Sequence, residues 1–404
     1  MKYRSINTPA ILGGTPVRTK PFRRWPVFDE REKSALLEVL ESGTWGGYSP
    51  KVKEFEEAFA DFHQVKYAVS ASNGTVTLEA ALLAAGVGLG DEVIVPPISF
   101  VATAAAVLRV GATPVFADIG HNYQLDPVRA EEAVSDRTRA IIPVHFAGCP
   151  ADMDALGALA RKSGLLLIED AAHAHGASWN HGPAGSLGDI ASFSFQQSKN
   201  LTAGEGGILI GNNYQLIETA CSIFNQGRVA GGGWFQHDRL GTNQRLTAWQ
   251  AAVLLSQLAR LPDQLSRRAE NARFLNEQLK QFDFIEPLIP DHRVTRHSYH
   301  LYMIRLRRDR LAGISRDLFI DALTAEGIPG AGGYPYPLYQ NKLFQQYRHQ
   351  RGECPESERM CQDSFWVSHD IMLAGQEDLA DFVGALGKIA ESVEAIAALS
   401  PTTH

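Results

Sequence analysis

In the stretch "SFSFQQSKNLTAGEGG", residues 192–207, a single lysine, Lys199, sits between an alternating apolar run and a glycine cluster that encloses Glu205. Among apolar and hydroxyl neighbours a lysine loses pKa by desolvation, which frees its amine to attack a carbonyl. On an open surface it would be an ordinary charge. Other residues with chemical potential precede it. Asp170 ends the apolar run "LLLIED", where an unpaired carboxylate is costly and calls for a cation or several donors. His173 follows in "DAAHAHG"; a lone histidine suits a structural role as well as a ligand contact, and no cysteine or carboxylate set accompanies it, so no metal is expected. The turn "SNGT" places Gly74 and Thr75 at a helix start, which suits a phosphate and equally suits plain capping. Phe100, in "PPISF", opens a helix and fits either core packing or stacking on a planar ring.

These residues need a scaffold. "VKYAVSA", "DEVIVPP", "TPVFADI", "RAIIPVHF" and "LLLIEDAA" read as buried strands, and amphipathic or alanine-rich helices such as "KVKEFEEAFADFH" and "VTLEAALLAAG" accompany them. Continuous apolar strands alternating with helices predict an α/β domain whose mostly parallel sheet is covered on both faces. Ligands in such sheets bind beyond the carboxyl ends of the strands, and Gly74, Thr75, Phe100, Asp170, Ser194 and Lys199 all follow or end strands there. After "WQAAVLLSQLARLPDQL" the pattern changes to a long helix, then "SYHLYMIRL" and "RDLFIDALTAEG", which predicts a smaller C-terminal α+β domain. The expected division is an arm at 1–24, a large domain at 25–261 and a small domain at 262–404.

The 404 residues are 45% hydrophobic and 21% charged, the composition of a globular chain large enough for two domains. A net charge of −7 without a dense basic run argues against a nucleic-acid binder; "RLRRDR" at 305–310 is too short to be one. Cys149, Cys221, Cys354 and Cys361 show no CxxC spacing, so reduced thiols and a cytoplasmic setting are expected. The start "MKYRSINTPAILGG" has no apolar signal region, and no window reaches the roughly 20 apolar residues of a membrane span.

A cation that suits Asp170 is the protonated pyridine nitrogen of pyridoxal phosphate, whose electron-sink chemistry depends on keeping that proton. Phosphate turn, aromatic, aspartate, serine and lysine then occur in one order along successive strand ends. In this order, and in the motifs "SNGTVTLEAAL", "VIVPPISFVATAAAV", "IEDAAHAHGA", "SFSFQQSKNLTAGEGG" and "GTNQRLTAWQAA", the chain resembles the DegT/DnrJ/EryC1/StrS family of pyridoxal-phosphate aminotransferases of sugars and cyclitols, fold type I, over nearly its whole length.

The resemblance implies that Lys199 forms the Schiff base with the cofactor and later shuttles the proton. It implies that Asp170 holds the pyridine nitrogen protonated, Phe100 stacks on the ring, His173 sits near the phenolic oxygen, and Gly74, Thr75 and Ser194 hold the phosphate. Asn243, in "GTNQRL", matches a position that reaches the phosphate from the neighbouring subunit, which implies a homodimer with shared sites. The implied partners are an amino donor, L-glutamine or L-glutamate, and a keto acceptor. Sugar-nucleotide members read histidine where this chain has Gln196. The paired Gln196 and Gln197 look more like the branch that aminates ketocyclitols, and like 3-amino-5-hydroxybenzoate synthase, so an inosose-like ketocyclitol or keto sugar is the expected acceptor. Substrate contacts are expected from Trp45, beside Gly46 and Gly47, from Arg228 with Trp234 and His237, and from Tyr334, Tyr336 and Tyr339 in "GIPGAGGYPYPLYQN". A dehydratase of the same family would carry histidine in place of Lys199. A regulatory protein that binds the cofactor without turnover would need an output module, and no segment is left over for one.

Overall fold

The computed structural model describes residues 8–345 and 353–399. The apolar runs form strands β1 (Tyr67–Ala71), β2 (Glu92–Val95), β3 (Thr113–Phe116), β4 (Thr138–Ile141) and β5 (Leu166–Asp170). Two short strands, β6 (Ser178–Trp179) and β7 (Gly182–Pro183), precede β8 (Ile190–Ser194) and β9 (Gly207–Gly211). Seven of these make one sheet in the order β1-β9-β8-β5-β4-β2-β3. Its pairings are parallel except those of β9, which runs antiparallel to both neighbours. The sequence reading had not assigned β9: "GILIG" is five residues between glycines, too short for its periodicity to speak.

Both faces of the sheet are covered, so neighbouring strand residues enter different cores. Ile208 and Ile210 pack with Phe55, Phe59, Phe193 and Leu254, whereas Leu209 between them packs with Leu78, Val107 and Ile217. The helices supplying these faces are α1 (Glu30–Ser42), α2 (Pro50–Phe62), α3 (Gly74–Ala84), α4 (Ala102–Arg109), α5 (Pro127–Glu132), α6 (Met153–Ser163) and α7 (Tyr214–Phe224). In α2 the spacing of Val52, Phe55 and Phe59 puts all three on the buried face; Ser49 caps it and Pro50 starts it, where a missing N–H costs nothing. Full burial of one such phenylalanine contributes roughly 1.5–3 kcal/mol.

Helix α8 (Ala248–Leu279) runs through Pro262 and serves two cores. Leu254 and Leu261 pack beneath the large sheet, and Leu275 and Leu279 pack with Phe319, Phe365, Phe382 and Leu386. This second core lies under the antiparallel strands β10 (Ile285–Pro287), β12 (Leu301–Leu306) and β13 (Ser364–Ser368), with α9 (Arg316–Ala325) and the helix Gln376–Ala390; β11 (Val294–Arg296) pairs instead with β6. The N-terminal arm is fastened to the C-terminal half. Arg18 bonds Asp378 and Asp381 at 2.8 Å each, and buried Glu326 accepts from the amides of Ala10 and Val17 and from Lys388.

The first loop of the site depends on a close approach. Asn73 caps α3 by accepting from the Val76 amide, and Gly207 at the start of β9 backs onto that turn. A Cβ at residue 207 would lie 2.5 Å from the Asn73 carbonyl and 2.7 Å from the Gly74 nitrogen. We therefore expect Gly207→Ala to lower the urea midpoint by an amount equivalent to roughly 1–3 kcal/mol; an unchanged midpoint would show that the turn can yield.

Candidate functional site

Strand β5 delivers Asp170 as its last residue, opposite Ser192 of β8 in parallel register. The Asp170 side chain is buried. Its Oδ2 accepts from Thr103 Oγ1 at 2.7 Å, Thr103 is bonded in turn to Ser99 Oγ at 2.6 Å, and Oδ1 accepts from the Ala172 amide at 3.3 Å. Burial raises the carboxyl pKa, while the Thr103 bond and the charge of Lys199 pull the other way. Beyond β8 the chain makes a turn in which the Lys199 amide donates to the Gln196 carbonyl at 2.9 Å. Lys199 is half-buried, and desolvation brings its amine down to about 8 against the opposing pull of Asp170. The two groups lie in each other's field, and burial pushes both toward neutrality.

His173 is buried with no partner for Nδ1, and its burial, reinforced by Lys199, His175 and His369, holds its pKa well below the ordinary value. Its ring lies 4.1 Å from that of His300, centroid to centroid. Tyr334 packs beside Phe146 and Trp366; burial and then Asp170 raise its phenol pKa, which puts it in the same field as the aspartate. Phe100 is 60% exposed, so it is not packed into the core of this chain.

The phosphate-type turn is assembled beside these groups. Gly74 and Thr75 stand in the first turn of α3, whose leading amides have no intrahelical acceptor. A Cβ on Gly74 would come within 2.8 Å of Ser194 Cβ, so the glycine lets β8 approach the helix start. Thr77 Oγ1 donates to the Gly74 carbonyl and meets Ser192 Oγ at 2.6 Å, locking the two elements together.

Not every expected residue joins this group. Trp45, 47% exposed, packs against Trp249, and Arg228 lies over Trp234 while bonding its carbonyl. Arg228, Tyr48, Glu56, Tyr67 and Arg245 line a cavity of about 610 Å³ that none of Lys199, Asp170, His173 or Phe100 touches. Asn243 is exposed and forms a bridge with Asn225, and His237 bonds the Gln226 carbonyl. Tyr336 is exposed, and Tyr339 spends its hydroxyl on Glu358 at 2.9 Å.

Other polar residues around the site escaped the sequence reading. Glu169, fully buried next to Asp170, bonds His145 Nε2 at 2.8 Å and takes amides of Gly185, Leu187 and Gly188. Two adjacent acids in an apolar strand must point to opposite faces, which was the available signal that a second partner exists. Thr103 and Ser99 carried none. Among the described residues no cluster of histidine, cysteine, aspartate and glutamate could hold a metal, and no helix is long and apolar enough to cross a membrane. Cys149, Cys221 and Cys361 are free thiols.

Comparison with known proteins agrees with this geometry. The DegT/DnrJ/EryC1/StrS aminotransferase family matches residues 26–386. A putative L-glutamine:3-amino-2,3-dideoxy-scyllo-inosose aminotransferase of Micromonospora echinospora is 38% identical, covering 96% of this chain and 98% of its own. The crystal structure of 3-amino-5-hydroxybenzoic acid synthase superposes with a TM-score of 0.86 at 35% identity, over 94% of this chain and all of that one. That of DesI, determined with its TDP-sugar product, gives 0.88 at 30% identity over 98% and 99%. The chain belongs to the DegT/DnrJ/EryC1/StrS aminotransferase family and is a pyridoxal-phosphate-dependent transaminase.

Proposed function

We propose that the enzyme moves an amino group from L-glutamine, with L-glutamate as the competing donor, to the keto carbon of an inosose-like ketocyclitol or a keto sugar, in aminocyclitol or antibiotic biosynthesis. The observation that carries the chemistry is the half-buried Lys199 amine, drawn down to about 8 within the field of the buried Asp170. The inosose acceptor rests on the relative that is 38% identical and named for one. A nucleotide-linked keto sugar is the second reading, supported by the likeness to DesI with its TDP-sugar product. Gln196 favours the first, because its Oε1 is occupied by the Ser198 amide and hydroxyl at 2.8 Å each and so serves the turn.

The residues fit pyridoxal phosphate. An orphaned His173 Nδ1, a buried carboxylate needing a cation, an exposed phenylalanine ring and a cradle that a Cβ at Gly74 would fill each correspond to one part of it. When bound, the cofactor supplies an aldehyde and an electron sink for the carbon that loses its proton. Gly74, Thr75 and Ser194 would hold the phosphate by amides and hydroxyls at a positive helix end. Asp170, oriented by Thr103, would keep the pyridine nitrogen protonated, and that cation would return the carboxyl to its ionised form. Phe100 would cover the ring and His173, held neutral, would face the phenolic oxygen. Lys199 is part amine already near neutral pH, so it can bond the aldehyde and, once displaced, take up and hand back a proton at Nζ. Trp45, Arg228, Tyr334 and Tyr336 would contact the substrate.

Arg228, Trp45 and Asn243 stand apart from Lys199 within one chain, which a homodimer with shared sites accounts for: Asn243 would reach the partner's phosphate. The working units would be the arm at 1–24, a large unit at 25–261 and a small unit at 262–404, in the cytoplasm.

The decisive experiment follows the visible absorbance of the cofactor-loaded enzyme. L-glutamine should bleach it, 2-deoxy-scyllo-inosose should restore it and a TDP-linked keto sugar should not; Lys199→Ala should retain no borohydride-fixed cofactor. Restoration by the nucleotide sugar alone would select the second reading. In cofactor-free protein, acylation of Lys199 should rise through a midpoint of about 8. Because the Asp170 carboxylate favours the ammonium form, Asp170→Asn should move that midpoint down, and an upward shift would contradict the pairing. Loaded enzyme should sediment as a dimer; a fully active monomer would remove the shared site.

A further inference from the structure

The turn that carries Lys199 is anchored from outside its own sheet. Trp25, the residue that follows the arm, donates Nε1–H to the Gln197 carbonyl at 2.9 Å. His369, one residue past β13, meets the Ser198 carbonyl through Nε2 at 2.9 Å. On the other side of the lysine, Asn200 donates its amide hydrogen to the Ser298 carbonyl at 2.8 Å and accepts at Oδ1 from Nδ1–H of His300 at 3.1 Å, the residue that leads into β12. Three positions flanking Lys199, namely Gln197, Ser198 and Asn200, are thus held by residues far away in sequence.

The His369 contact sets the most. The Ser198 carbonyl belongs to the peptide joined to Lys199, so its direction fixes the backbone torsion from which the lysine side chain departs. A carbonyl can only accept and a guanidinium can only donate, so the neighbours of His369 dictate its tautomer. Nε2 carries the hydrogen toward Ser198, and Nδ1 receives Arg268 Nη2 at 3.0 Å. Arg268 is fully buried, also bonds the His369 carbonyl at 3.3 Å, and has no carboxylate partner among the described residues. Trp25 closes the arrangement edge-on to His369, at 4.5 Å between ring centroids.

We propose that His369, held in its Nε2–H form by Arg268, is a positioning residue for Lys199: together with Trp25 it aims the amine from two segments distant in sequence. The role does not involve contact with substrate or cofactor. It rests on the reading of Lys199 as the attaching amine. A small error in the placement of a reacting group costs on the order of a hundredfold in rate, so the turn's geometry is worth securing from three sides.

The test uses cofactor-free protein mixed with pyridoxal phosphate, following with time the borohydride-fixed product on Lys199, with melting temperatures alongside. In H369Q the side-chain amide stands where Nε2 stood and can still donate to Ser198; in H369N it stands where Nδ1 stood and cannot. We expect H369Q to attach cofactor within about threefold of wild type and H369N roughly 10- to 100-fold more slowly, at matching melting temperatures. Equal rates in the two variants would overturn the proposal. Trp25→Phe keeps the ring against His369 and removes only the indole donor; it should slow attachment by about threefold or more, and a wild-type rate there would also count against the clamp. Fixation of wild-type cofactor on a different lysine would remove the reading of Lys199, and this proposal with it.

Discussion

The structure is organised around a carboxylate that burial would rather protonate. Asp170 ends a central strand with apolar layers on both sides, and among the described residues its side chain takes hydrogen bonds from Thr103 and one amide. A cation must complete it. Lys199 stands in its field yet is itself drawn toward the neutral amine, so the pair cannot settle into an ordinary salt bridge without giving up the reactivity of the lysine. On the function proposed above, a cofactor cation on Asp170 would resolve both problems together, and the Gly74 turn, the exposed Phe100 ring and His173 would complete its surroundings.

The scaffold satisfies this requirement through close backbone approaches rather than long loops. Gly74 lets β8 meet the start of α3, and Gly207 lets β9 back onto the same turn. Strand β9, reversed between β1 and β8, returns the chain from the lysine turn without a crossover helix. The glycines after Lys199 therefore serve a strand start and a tight contact, and Glu205 among them accepts Gln250 of α8 at its carbonyl.

Much of this was legible in the sequence because strand ends are. Apolar runs that finish in Asp170, Ser194 or "SNGT" announce both the sheet and the rim where chemistry gathers. What the sequence hid is of two kinds. Strand β9 is too short for periodicity, and its direction is a tertiary outcome. The anchors Trp25, His369 and His300 lie 172, 171 and 100 residues from the turn positions they bond, and Arg268 lies 101 residues from the His369 it holds. No local pattern reports such contacts. Phe100 and Tyr339 show the same limit in single residues: an aromatic in a mixed sequence can face solvent or spend its hydroxyl on a distant carboxylate, and only the fold decides.

The arm has an effect on how the molecule comes into being. Its Arg18 leaves the ribosome 360 and 363 residues ahead of the acids that receive it, Asp378 and Asp381. Trp25, which holds the lysine turn, follows directly on that arm, and its neighbour His369 emerges well after the turn itself. During synthesis, when domains fold as they appear, the large sheet can form with its lysine in place but unaimed. Competence to react thus arrives only once His369 has emerged, and a chain not yet made that far carries a nearly complete sheet with an amine that has not yet been given its direction.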